Sequence, residues 1–205
     1  ILAEPNNQWV HFDRSLALRK LGKFDEGIED LTKEMENNPH YKVFEERAIS
    51  YRKKERYEEA LLDAEKAIKI APAGTKWLHK LKGQICSALG KQEDALESYN
   101  KELAVSDDMD SFLARADIYQ SVGDHVRAAR YYLEAITLGG EDISLYKKRG
   151  TCLRALGNDQ EALESFDKAM LLEPSDELRS LRKELHRSLG DDSANEMDSD
   201  LYSEE

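Results

Sequence analysis

One series of residues recurs five times along this chain at intervals of 33 to 35 residues, and so short a period leaves few folds open. Its clearest copy is Ile143–Asp176. There Tyr146, Gly150 and Leu153 share one face of a first predicted helix, and Ala162, Phe166 and Ala169 share one face of a second. Gly157 marks the turn between them and Pro174 follows the end. The copy starting at Met109 has Phe112, Ala116, Tyr119, Gly123, Ala128, Tyr132 and Ala135. The copy starting at Lys76 has Gly83, Gly90, Ala95 and Tyr99, with Glu102 in place of the usual second alanine. Tyr41 opens a copy with Phe44, Ala48, Tyr51, Tyr57, Ala60, Ala67 and Pro72, and Gln8 opens one with Leu18, Gly22, Phe24, Gly27, Leu31 and Pro39. Small residues let paired helices approach closely, aromatics fill the space between units, and proline cannot continue a helix. Units this short bury their apolar faces only by stacking on their neighbours.

These residues resemble the tetratricopeptide repeat, a helix–turn–helix unit of 34 residues. The resemblance implies an all-α, right-handed superhelical solenoid, with the first helix of each repeat lining a concave inner surface. On that frame residues 1–7 match the end of a truncated upstream repeat, with Pro5 in the closing slot, and the expectation is a fragment of a longer protein. Five repeats span 8–175, as 8–40, 41–75, 76–108, 109–142 and 143–175. Residues 176–190 read as a capping helix, begun by Ser175 or Asp176 and ended by Gly190, with Leu178, Leu181, Leu185 and Leu189 on one stripe. Residues 191–205, with seven acidic side chains and no basic one, read as a disordered acidic tail.

A net charge of −12 disfavours nucleic acid as a ligand, because phosphate binding needs clustered Lys and Arg. No apolar run approaches the roughly 20 residues of a membrane span. Cys86 and Cys152 fall at core positions of first helices in different repeats, so a reducing compartment, cytoplasmic or nuclear, is expected rather than a disulfide framework. His11, His40, His79, His125 and His186 show no metal-ligand spacing, and His11 and His79 take the slot of an aromatic, where packed core imidazoles are expected. Neither a glycine-rich phosphate loop nor a nucleophile elbow is present. The reading is therefore a protein without catalytic, cofactor or metal sites. A basic residue precedes the small one in every copy (Arg14, Arg47, Lys82, Arg115 and Arg149), and these read as long stems whose charged heads reach water.

Groove positions carried over from the family give an apolar patch of Trp9, Phe12, Leu16 and Ile49, and a second around Trp77 and Leu81 with Leu113 beyond it. Exposed aromatics of this kind mark a binding hot spot; the alternative is that both tryptophans pack on a neighbouring repeat. The same positions hold Arg19, Lys20, Lys42, Arg52, Lys53, Lys80, Lys147, Lys148 and Arg154 against Asp13, Glu45, Glu46, Asp110 and Asp117. That excess of cations points to a protein or peptide partner with an acidic, partly apolar segment. The carboxylate clamp of chaperone-tail binders is incomplete. Lys80 and Gln84 are its nearest match, followed by Ala114, Ser144 and Lys148. The asparagine ladder of the O-GlcNAc transferase type is missing, with Asp13, Glu46, Leu81, Ala114 and Lys148 in its place. The expected function is a protein-interaction scaffold or adaptor, as a co-chaperone or complex-assembly factor. The alternatives are a substrate-recruiting region of a larger enzyme or chaperone, and a structural self-association module.

Overall fold

The computed structural model describes residues 9–73, 75, 77–103, 108–139 and 141–190. The expected end of an upstream repeat at 1–7 and the acidic segment 191–205 lie outside the described residues. Among those described, every regular element is a helix: α1 Val10–Lys20, α2 Phe24–Asn37, α3 Tyr41–Lys53, α4 Tyr57–Ile70, α5 Trp77–Ala88, α6 Gln92–Leu103, α7 Met109–Ser121, α8 His125–Gly139, α9 Ile143–Ala155, α10 Asp159–Leu172 and α11 Asp176–Ser188. The chain forms two compact units, divided between Ser106 and Asp107. The first holds α1 to α6 and the second α7 to α11.

Within each pair a left-handed residue reverses the chain. Gly22, Gly90, Gly123 and Gly157 adopt φ between 71° and 80°, and Glu55 takes the same place in the second pair at φ 59°. The amide following each turn bonds back to the carbonyl five residues earlier, as Lys23 to Leu18, Arg56 to Tyr51 and Asn158 to Leu153 at 2.9–3.0 Å. This bond satisfies a carbonyl that the helix end would otherwise leave open. Carboxylates of Asp108 and Asp142 and the hydroxyl of Ser175 accept from the amides of Ser111, Leu145 and Leu178, starting α7, α9 and α11.

The two helices of a pair are fixed by contacts sixteen residues apart. A Cβ added to Gly83 would lie 2.8 Å from the Tyr99 ring, and one added to Gly150 would lie 2.8 Å from the Phe166 ring. The smallest residue of the first helix thus forms the seat of the bulkiest residue of the second. Ala116 faces Tyr132 at the same spacing. One position earlier lie the basic residues; Arg14 keeps the expected solvated head, at 59% exposed, but for Arg47, Arg115 and Arg149 that expectation fails. Arg14 binds Asp30 through two guanidinium nitrogens, and Arg47 donates Nε to Asp63 at 2.6 Å. Arg115 donates to the Tyr131 hydroxyl while lying 4.0 Å from that ring's centre, and Arg149 donates to Ser165 at 2.7 Å. All four pairs are sixteen residues apart. Asp30, Asp63 and Ser165 are buried, so a guanidinium replaces the water they lose. Lys82, facing Ser98 at that spacing, reaches Glu65 of α4 instead, at 2.8 Å.

A second exchange runs through the first and third pairs. Ala67, Ala135 and Ala169 are fully buried beneath Phe44, Phe112 and Tyr146, whereas Glu34 and Glu102 are buried at the equivalent places. Both repeats replace the aromatic with the smaller imidazole of His11 or His79, so the longer acid has room. These histidines are half-buried rather than core residues, and burial holds the His79 imidazole below its ordinary pKa. Cys86 and Cys152 are buried and free. Helix α11 packs on α10 in the register of a first helix, burying Leu178 and Leu185 as α9 buries Leu145 and Cys152. Leu189 is exposed, so the expected leucine stripe ends one turn early.

Two substitutions test these constraints by urea denaturation. Gly150→Val places two methyl groups against a ring that cannot swing into solvent, and stability is expected to fall by roughly 1–3 kcal/mol. Glu55→Gly removes a side chain from the left-handed region and is expected to raise stability by about 1 kcal/mol.

Candidate partner-binding faces

In the first unit α1, α3 and α5 lie side by side, and their outward residues form one face. Trp9, just before α1, meets Phe12 edge to face with ring centres 5.1 Å apart, and meets His40 at 5.3 Å. Leu16 is half-buried, and Ile49 packs on the core formed by Ala48, Ala60, Ala64, Leu81 and Ile85. Leu81 itself is only 6% exposed. It is a core residue and cannot serve the predicted second patch, because the turn of α5 that carries it faces α3 and α4 rather than solvent. Trp77 stands 47% exposed at the start of α5, with its indole N–H donating to Glu45 of α3. Arg52 donates to Gln84 Oε1 at 2.6 Å, tying α3 to α5. Lys80 is half-buried on the same turn as Gln84.

In the second unit the face is built around α9. Gln120 of α7, Ile143, Ser144, Lys147, Lys148 and Thr151 of α9, and Glu173 after α10 line an open cavity of about 490 Å³. Its floor is a polar network. Lys148 donates to Asp117 Oδ1 at 2.7 Å, and the buried Tyr132 hydroxyl lies 2.6 Å from both Asp117 and the Gln120 amide. Both neighbours, Asp117 Oδ1 and Gln120 Oε1, are acceptors, so the single phenol proton serves one of them at a time. Burial and Asp117 hold the Tyr132 phenol far above its usual range, and push the nearby Cys152 thiol up to about 11. Neither group titrates near neutrality.

Four of the nine groove cations are answered by carboxylates within the structure. Arg19 pairs with the buried Glu46, Lys148 with Asp117, Lys147 with Glu177, and Arg154 with Glu184 at 3.1 Å. Each bond joins neighbouring first helices, and Glu177 and Glu184 lie on α11, outside the five repeats whose charges were weighed. Lys20, Lys42 and Lys53 make no ion pair among the described residues. The structure thus brings Lys147 and Lys148 together in one cavity and sets Arg154 a turn beyond it. Gln120 and Thr151 were missed because uncharged residues on that face drew no attention, although both fall at groove positions. Among the described residues no group of three or more His, Cys, Asp or Glu is placed to hold a metal ion, and no helix is long and apolar enough to cross a membrane.

The stacked helix pairs have counterparts among known proteins. A family model described as tetratricopeptide repeat covers residues 12–75 and 113–175. The chain belongs to this family. Residues 76–112 fall outside both matches, yet α5 and α6 keep the left-handed turn and the glycine–aromatic seat found in α9 and α10. A MamA structure from Desulfovibrio magneticus is similar at 18% identity and TM-score 0.75, covering 85% of this chain and 99% of that one. A tetratricopeptide repeat protein from Parabacteroides merdae is similar at 17% identity and TM-score 0.73, over 89% and 73%. YrrB, described as having an unusual peptide-binding site, is similar at 18% identity and TM-score 0.71, over 82% and 87%. At these identities the likeness concerns the fold. No curated relative matches the sequence.

Burial pushes the Glu46 carboxyl above its ordinary pKa, and Arg19 offsets only part of that. A raised carboxyl pKa means the folded chain holds this proton more tightly than the unfolded one. Its stabilising contribution is present at low pH and lost as pH rises past the ordinary range near 4.5. The stability of Glu46→Gln relative to wild type, from urea midpoints at pH 4 and pH 7, is therefore expected to increase with pH.

Proposed function

We propose that this tetratricopeptide repeat chain is a non-catalytic scaffold that holds a segment of a protein partner against its first helices. The observation that carries this reading is the cavity on α9, whose walls mix cations, hydroxyls and an amide around an open slot of about 490 Å³. Side chains of this kind suit an extended peptide with carboxylates, since Lys147 and Lys148 exchange their internal partners for external ones with little loss. On the first unit, the half-exposed Trp77 and the Trp9–Phe12 pair offer a separate apolar surface for a partner. YrrB offers a parallel by its description as a peptide-binding repeat protein. The reading keeps residues 8–175 as five repeats followed by a closing helix. It assigns the chain to complex assembly rather than to chaperone tails, because the clamp residues are incomplete. Two buried, free thiols suit a reducing compartment such as the cytoplasm or nucleus.

The test compares proteins captured from a cell extract by the wild-type chain and by two variants, Lys147→Glu with Lys148→Glu, and Trp77→Ala. Circular dichroism checks the fold of each. Loss of the same captured protein from the charge-reversed variant, with a steeper salt dependence for wild type, supports the groove. An identical catch from all three chains moves the partner to another surface.

A further inference from the structure

The third helix pair departs from the others at places that meet in one cavity. Where the second, fourth and fifth pairs carry Phe44, Phe112 and Tyr146, the third carries the smaller His79. In two of those pairs a lysine twenty-two residues on lies over the ring, Lys66 at 5.8 Å from the centre of Phe44 and Lys168 at 5.6 Å from that of Tyr146. The same spacing from His79 reaches Lys101, which bonds Glu97 of its own helix at 2.6 Å. Lys82 stands where the other four pairs carry arginine, and it bonds Glu65 of α4 rather than Ser98. The result is a cavity of about 210 Å³ whose walls include Glu65 and Lys69 of α4, His79 and Lys82 of α5, and Glu97 and Lys101 of α6. Most of this lining comes from second helices, so the cavity lies apart from the first-helix face of the proposed function.

The walls suit an anion. Glu65 and Glu97 are paired with Lys82 and Lys101 at 2.8 and 2.6 Å, and each ammonium keeps further N–H donors. Lys69 makes no ion pair among the described residues. Three lysines against two glutamates leave one positive charge in the lining. Glu102 is buried one turn beyond Ser98 on α6, yet the imidazole feels the cations: Lys101 and Lys82 add to burial in holding the His79 pKa below its ordinary value. We infer that this cavity of the third pair binds a phosphate group, as the free ion or as a phosphomonoester, with Lys69, Lys82 and Lys101 donating to its oxygens. A doubly charged oxyanion reverses the field at His79, so the ring takes up a proton as the ligand enters. With His79 protonated the lining carries two positive charges, and the dianion balances them.

Imidazole NMR on the whole chain tests this, with His79→Gln assigning the His79 signals. At pH 7 and constant ionic strength, inorganic phosphate in place of chloride is expected to move these signals toward their protonated positions and to saturate. The size of the change should match a His79 pKa raised by about one pH unit. Lys69→Gln with Lys101→Gln, both at exposed positions, should abolish the response while circular dichroism stays unchanged. A short phosphoserine peptide, set against its unphosphorylated form, separates the two sources. Saturation at lower concentration than phosphate assigns the cavity to a phosphorylated partner, and weaker binding assigns it to the free ion. His79 signals indifferent to both probes overturn the inference, as does an equal response in the double variant.

Discussion

The structure depends on a small residue near the middle of each first helix, which in the third and fifth pairs seats a ring of the second helix. Where Gly83 or Gly150 stands, a ring from the second helix sits against bare backbone, and no other residue would leave that space. A small residue at this place sets how closely the helices approach, and after Arg14, Arg47, Arg115 and Arg149 that approach lets the arginine reach a partner sixteen residues on. An uncompensated Asp30 or Asp63 would be costly in such an interior. Close packing and buried charge are thus one arrangement: the small residue creates the proximity that the ion pair requires.

Polar groups do different work along the stack than across it. Within a pair, Arg–Asp and Arg–Ser bonds are short-range fasteners sunk into the layer. Between neighbouring first helices, Arg19–Glu46, Arg52–Gln84, Lys148–Asp117 and Lys147–Glu177 link successive layers on the exposed side. Partly exposed pairs contribute little each. Their larger effect is to neutralise a face that looks strongly basic when its residues are counted singly, so a partner meets alternating charge with local slots rather than a uniform positive surface.

The fold was legible because periodicity reports it directly: an aromatic, a small residue, a turn glycine and a second small–aromatic set recur in register. The place of Trp77, Lys147 and Lys148 on first helices, away from the core, was legible for the same reason. Leu81 was misread because its position in the repeat borders both core and groove, and only the packing of α4 and α5 decides between them. Arg47, Arg115 and Arg149 were misread because their partners lie sixteen residues away on another helix, a separation that local pattern does not weigh. The cavity on α9 escaped notice because Gln120 and Thr151 carry neither charge nor bulk. They matter through Tyr132 and the shape it holds.

Because both members of each glycine–aromatic or alanine–aromatic contact lie in one repeat, copying a whole repeat copies a matched pair, whereas exchanging halves between repeats does not. Joining the first helix of the second pair to the second helix of the third would set Ala48 against Tyr99, and the reverse exchange would leave Gly83 facing Ala64 across a void. The turn is therefore a poor place for recombination and the junction between repeats a good one. Lineages of such arrays should lengthen by whole units, each bringing its own internal fit.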